Sequence, residues 1–129
     1  MDGRLNRDRT VSTFREAFPI FTVEDVDRAA AFYCSTFGFE QTYSFEEDGS
    51  TAYAFLRLEP LGIGIARRTS TDDPAFALWL YTDDVDAAAE QLRAAGADEL
   101  LPPTDQPWGE RMCTFRDADG TVHHVASKP

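Results

Sequence analysis

The sequence has no run of 18 apolar residues, so it encodes no helix able to span a membrane. Histidine and cysteine are scarce, at two each. That scarcity leaves little room for a metal centre of three or four such ligands. Cys34 and Cys113 lie far apart in sequence, one in a helix-like run and one in a strand-like run. They are expected to be free thiols, as in an intracellular protein. No glycine-rich phosphate loop, nucleophile elbow or spaced Cys/His cluster occurs. The first sixteen residues, MDGRLNRDRTVSTFRE, contain no apolar stretch and so do not resemble a signal peptide. The expected location is the cytoplasm. Basic residues are also few: 12, against 23 acidic, for a formal net charge of −11. Beyond residue 16 there are 8 basic and 20 acidic side chains. Such a field repels phosphate, which excludes nucleic acid as a partner and favours cationic ligands.

What is present is an internal repeat. Glu24-Asp25-Val26-Asp27-Arg28-Ala29-Ala30 matches Asp83-Asp84-Val85-Asp86-Ala87-Ala88-Ala89 at an offset of 59 residues. Each copy follows a strand-like run, Phe18 to Val23 and Phe76 to Thr82, and each opens a helix. Asp25 and Asp84 are placed to cap the first turns. Val26, Ala29, Ala30, Tyr33 and Phe37 share one helical face, as do Val85, Ala88, Ala89, Leu92 and Ala95. Gly38 and Gly96 close the two helices. Three strand signals follow each helix: 39–47, 51–59 and 61–67, then 97–103, 111–116 and 122–127. Asp48-Gly49 and Asp119-Gly120 are hairpin turns. The expected fold is α+β: two βαβββ modules, 17–68 and 75–127, forming a curved mixed sheet with helices on its outer face and an open groove. Residues 1–16 are polar and alternate in charge. They are expected to be a flexible arm ahead of a domain over 17–129.

Strand parity assigns side chains to the groove. Ala52, Ala54, Leu56, Leu58, Ile63 and Ile65 read as the helix-facing set, with Phe76, Leu78 and Leu80 in the second copy. Tyr53, Phe55, Arg57, Ala77, Trp79 and Tyr81 face the groove, with Val122, His124 and Ala126. By repeat symmetry Arg111, Cys113 and Phe115 are expected on that same face. Gly62 and Gly64 are expected to leave space above the sheet. His123 and His124 point to opposite faces, so they cannot chelate one ion together. An aromatic, partly polar concavity of this kind suits a small molecule.

The chain resembles the vicinal-oxygen-chelate superfamily (glyoxalase, bleomycin-resistance proteins and dioxygenases), and within it the bleomycin-resistance type. The resemblance rests on Phe18-Pro19-Ile20-Phe21-Thr22-Val23-Glu24-Asp25-Val26, on Phe32-Tyr33 with Phe37-Gly38-Phe39, and on Gln106-Pro107-Trp108-Gly109. It continues through Phe115-Arg116-Asp117-Ala118-Asp119-Gly120 and His124-Val125-Ala126. It implies metal ligands on the first and fourth strands of each copy, here Phe18, Gly64, Ala77 and His124. Only His124 can bind a metal. No metal or other cofactor is therefore expected, and a metal-dependent glyoxalase or dioxygenase is not. The resemblance also implies a homodimer with a ligand crevice where two chains meet, with Pro19 stiffening a first strand that can be exchanged. It assigns ligand stacking to Trp108; the partnering aromatic that such proteins carry near the Asp48 region is missing here, so Phe45 or Tyr53 would have to substitute. The expected function is metal-independent binding and sequestration of a planar, cationic small molecule such as an antibiotic. Its site is Phe18, Tyr53, Phe55, Arg57, Trp79, Tyr81, Trp108, Arg111, Phe115 and His124. The alternative is a metal-free lyase or isomerase using His124 with Arg57 or Arg111; otherwise no residue is assigned a catalytic role.

Overall fold

The computed structural model describes residues 13–129. The first twelve residues of the expected arm lie outside this range. Phe14, Arg15 and Glu16 are the opening residues of the first strand, β1 (Phe14–Val23). The chain parts into two compact units: Phe18–Ala77, and Leu78–Pro129 together with residues 13–17. They hold eight strands and two helices in an α+β arrangement of two βαβββ modules.

In the first unit β1 leads to helix α1 (Val26–Phe37) and strands β2 (Glu40–Glu47), β3 (Ser50–Leu58) and β4 (Leu61–Arg67). The strand order is β2-β3-β4-β1. β1 runs parallel to β4, and the β2–β3 and β3–β4 pairs are antiparallel. The parallel return is possible because α1 supplies the crossover. Asp25 caps α1, its carboxylate accepting from the Arg28 N–H at 3.0 Å. Gly38 ends the helix with φ 84°, a left-handed conformation that glycine adopts without strain. Val26 and Ala30 of α1 bury themselves on Ala54, Leu56, Ile63 and Ile65, the apolar face that parity assigned to the helix. Leu58 lies outside that core and is exposed.

The second unit repeats the plan with β5 (Phe76–Thr82), α2 (Val85–Ala94), β6 (Asp98–Asp105), β7 (Arg111–Arg116) and β8 (Val122–Ser127), in the order β5-β8-β7-β6. Asp84 caps α2 through the Ala87 N–H at 3.0 Å. The Thr13 backbone is tied to the end of β5: its N–H donates to Asp83 Oδ1 and its carbonyl accepts from the Thr82 hydroxyl, both at 2.9 Å. That anchorage explains why β1 starts before Phe18. β6 forms despite Pro102 and Pro103 because it ends the strand order. Missing donors cost little there, and its register to β7 is broken on both sides of Leu101. The core on this side is Val85, Ala88, Ala89, Cys113, Phe115 and Val125. No helix among the described residues is long and apolar enough to cross a membrane.

Candidate functional site

The face of β3 opposite α1 carries Tyr53, Phe55 and Arg57. Phe55 meets Phe18 of β1 edge to face, with ring centroids 4.9 Å apart. Tyr53 stacks on Phe45 of β2 at 5.8 Å and 26°. The expected space above Gly62 and Gly64 is not there. A side-chain carbon on Gly62 would fall on the Phe55 ring, and one on Gly64 would lie 2.5 Å from the Tyr53 hydroxyl. The register explains this. Phe55 pairs with Gly64 and Arg57 with Gly62, so the β3 side chains lean across the bare β4 backbone. Arg57 is held by Glu59, whose Oε2 accepts from Nε at 3.0 Å and Nη2 at 2.8 Å.

In the second unit the face of β5 opposite α2 carries Trp79 and Tyr81, with ring centroids 6.1 Å apart. His124 of β8 lies 5.5 Å from the Trp79 ring, and its Nδ1 is 3.0 Å from the Thr114 hydroxyl. Burial, and secondarily the charge of His123, pushes the His124 imidazole below its ordinary value, so it is neutral at pH 7. Glu110 joins two aromatic residues: Oε2 accepts from the Tyr81 hydroxyl at 2.6 Å, and Oε1 from the Trp108 indole N–H at 2.7 Å. Burial, reinforced by the Glu110 bond, raises the Tyr81 phenol well above its usual range, so it stays a donor. The turn that presents Trp108 is closed by Gln106 N–H to the Glu110 carbonyl at 2.7 Å and turns at Gly109, φ 102°. Trp108 as a residue remains 58% exposed. Lys128 sits 4.9 Å over the Tyr81 ring and 2.6 Å from Glu16.

Three placements expected from repeat symmetry are corrected. Phe115 and Cys113 lie in the core under α2, fully buried, and not on the open face. Arg111 also points away from it: Asp86 at the start of α2 accepts from Nε and Nη2 at 3.0 Å, and Asp105 from Nη1 at 3.0 Å. The correct partners of Tyr53, Phe55 and Arg57 at the 59-residue offset are Met112, Thr114 and Arg116. A slip of one residue reverses every side chain of a strand. The offset becomes 60 in β8, because the β7–β8 turn is one residue longer than the β3–β4 turn. Burial pushes the Cys113 thiol up to about 11, which makes it inert at neutral pH. Glu110 was not singled out by sequence; its only signal is an acidic residue directly after Gln-Pro-Trp-Gly.

At the four positions where the resemblance implies metal ligands, Phe18, Gly64 and Ala77 offer no donor and His124 is engaged with Thr114. Among the described residues no group of three His, Cys, Asp or Glu side chains is placed to hold an ion. The residues therefore do not fit a catalytic metal.

The family model described as the glyoxalase/bleomycin resistance protein/dioxygenase superfamily matches residues 17–125. The chain belongs to this superfamily. No curated protein matches it. Solved structures with the same fold include a superfamily member from Vibrio splendidus 12B01, 14% identical, with TM-score 0.71 over 90% of this chain and 100% of the other. Another is Streptomyces coelicolor methylmalonyl-CoA epimerase in complex with 2-nitronate-propionyl-CoA, 19% identical, TM-score 0.70, covering 90% and 99%. A third is a hypothetical protein of Bacillus halodurans C-125, 12% identical, TM-score 0.72, covering 91% and 96%. At these identities the superfamily fold is shared; the ligand is not carried over.

Proposed function

We propose that this superfamily member is a cytoplasmic binding protein that sequesters a small planar cation, such as an antibiotic, without metal or covalent chemistry. The observation that carries the reading is the Trp108–Glu110–Tyr81 group. An exposed indole is fixed edge-on by a carboxylate, and that carboxylate is itself held by a second aromatic residue. A planar cation can stack on the indole while its charge meets the carboxylate. The net charge of −11 raises the encounter rate for such a ligand. Both arginines proposed for anion recognition are already engaged, Arg57 by Glu59 and Arg111 by Asp86 and Asp105. This argues against an acidic ligand. It also weakens the alternative of a metal-free lyase or isomerase, which would need one of those arginines beside His124. We further propose a homodimer, since every residue of β2 at the end of its strand order is exposed, Tyr43 and Phe45 included.

The test is calorimetric titration of a cationic intercalator-like antibiotic against the wild type, Trp108→Ala and Trp79→Ala. Stacking on Trp108 predicts a loss of roughly 1–3 kcal/mol in Trp108→Ala, by analogy with base–aromatic stacking. Affinity is also expected to fall as salt rises. No binding across a broad panel of planar cations would overturn the reading.

A further inference from the structure

The two repeats differ where their helices end. In the first, the Phe39 N–H donates to the Tyr33 carbonyl; in the second, the Ala97 N–H donates to the Leu92 carbonyl. Tyr33 and Phe39 are therefore the counterparts of Leu92 and Ala97. In the first repeat those two rings meet edge to face, with centroids 5.7 Å apart, and pack on the core cluster that includes Ile63. In the second the rings are replaced by a leucine and an alanine. The register puts His123 opposite Phe115 as Ile63 is opposite Leu56, so a histidine stands in the isoleucine's place. The result is a cleft of about 260 Å³ under the end of α2, walled chiefly by Phe14, Leu80, Leu92, Ala97, His123 and Val125. It opens on the helix side of the strands, opposite Trp79 and His124.

The cleft is apolar except at one edge. There His123 Nε2 lies 2.8 Å from Asp117 Oδ2. Asp117 also accepts from the Asp119 and Thr121 N–H groups, at 2.9 and 3.0 Å, so its position is fixed. The His123 bond, then the Thr121 N–H, lowers its carboxyl below the ordinary value, and it is an anion at neutral pH. The Asp117 carboxylate can only accept, so Nε2 carries the hydrogen of this bond, and in the single-proton tautomer Nδ1 is the ring's acceptor. We propose that this cleft is a second small-molecule site, taking a single aromatic ring with one hydroxyl, a phenol in chemical class. The ring fills the volume that Tyr33 and Phe39 fill in the first repeat, and the hydroxyl donates to His123 Nδ1. A cavity of about 150 Å³ already admits benzene, so the volume suffices for a substituted ring. A neutral phenol also escapes the repulsion that a carboxylic acid would meet from the protein's negative field.

The experiment titrates 4-methylphenol into isotope-labelled full-length protein at neutral pH and follows the amide resonances, with toluene as the probe lacking the hydroxyl. Saturable shifts are expected at Leu80, Leu92, Ala97 and Val125, with toluene about fivefold weaker, the size of one hydrogen bond. Ala97→Phe, which restores the first repeat's ring, should abolish both responses and leave planar-cation binding intact; Ala95→Leu gives the same reading should the larger side chain disturb folding. His123→Leu should remove the preference for the phenol. Equal binding of the two probes, unchanged binding in both filled variants, or no saturable shift would overturn the proposal. So would cross-relaxation from Leu5 or Val11 into the ligand-free cleft, since the chain's own end would then be the occupant.

Discussion

His124 shows how one residue's surroundings decide its charge. It is packed on Trp79 and bonded to Thr114, and its folded pKa lies below the ordinary 6.5. The unfolded chain therefore binds a proton more readily than the folded one as pH falls through 6.5. Its contribution to stability is full above that value and is lost on the way down to the folded pKa. Unfolding followed in denaturant between pH 7.5 and 5 should show stability falling with pH, with a shallower slope in His124→Gln. Gly64 makes a second point at this scale. Alanine there would press on the Tyr53 hydroxyl and on Ile20 Cγ1, 3.0 Å away. Overpacking of this kind costs about 1–3 kcal/mol, so the denaturation midpoint of Gly64→Ala should drop. An unchanged midpoint would mean that the Tyr53 ring moves freely, and that the face is more open than the packing implies.

At the level of elements, the repeat is legible because each module begins its helix the same way. Asp25 and Asp84 were recognisable as caps from their position before Val26 and Val85, and both carboxylates accept from the third helical N–H. Asp25→Ala and Asp84→Ala should each cost about 1 kcal/mol, read from denaturant unfolding, with faster amide exchange confined to the first turn of the affected helix. Equal exchange along the whole helix would instead point to loss of packing. The strands were legible too, down to the turns at Asp48-Gly49 and Asp119-Gly120. The side-chain direction in β7 was not. The repeat offset, carried without a change of register, puts Cys113 with Ala54 and Phe115 with Leu56, both in the core. The expected placement of Phe115 on the face of Phe55 departs from that offset by one residue. Two chemically similar residues on opposite faces are indistinguishable until a hydrogen-bonded partner fixes the pleat.

For the whole molecule, the proposed homodimer follows from an uncovered edge. β2 presents a fully exposed strand with two large aromatic side chains, a feature that proteins in solution cover or protect. Sedimentation at micromolar concentration should report about twice the 14.4 kDa chain mass. A species at the mass of one chain would remove the proposal and leave Tyr43 and Phe45 exposed to solvent. The proposed antibiotic-type ligand belongs to the same scale, because the acidic field is a property of the whole chain and its effect is screened by salt.

Composition and periodicity by themselves determined the α+β class, the two modules and the helix caps, since each depends on residue type at short range or on a regular spacing. Trp79, Tyr81 and His124 were also placed on one face by parity alone. Only the tertiary structure decided which charged groups remain available. Arg57 and Arg111 are consumed by carboxylates, one of them 25 residues away, while Glu110 draws Tyr81 and Trp108 together. The Arg111–Asp86 and Tyr81–Glu110 contacts join residues 25 and 29 apart that share no period. A sequence can state that an arginine is present, but whether its charge is already answered depends on which strand lies beside it.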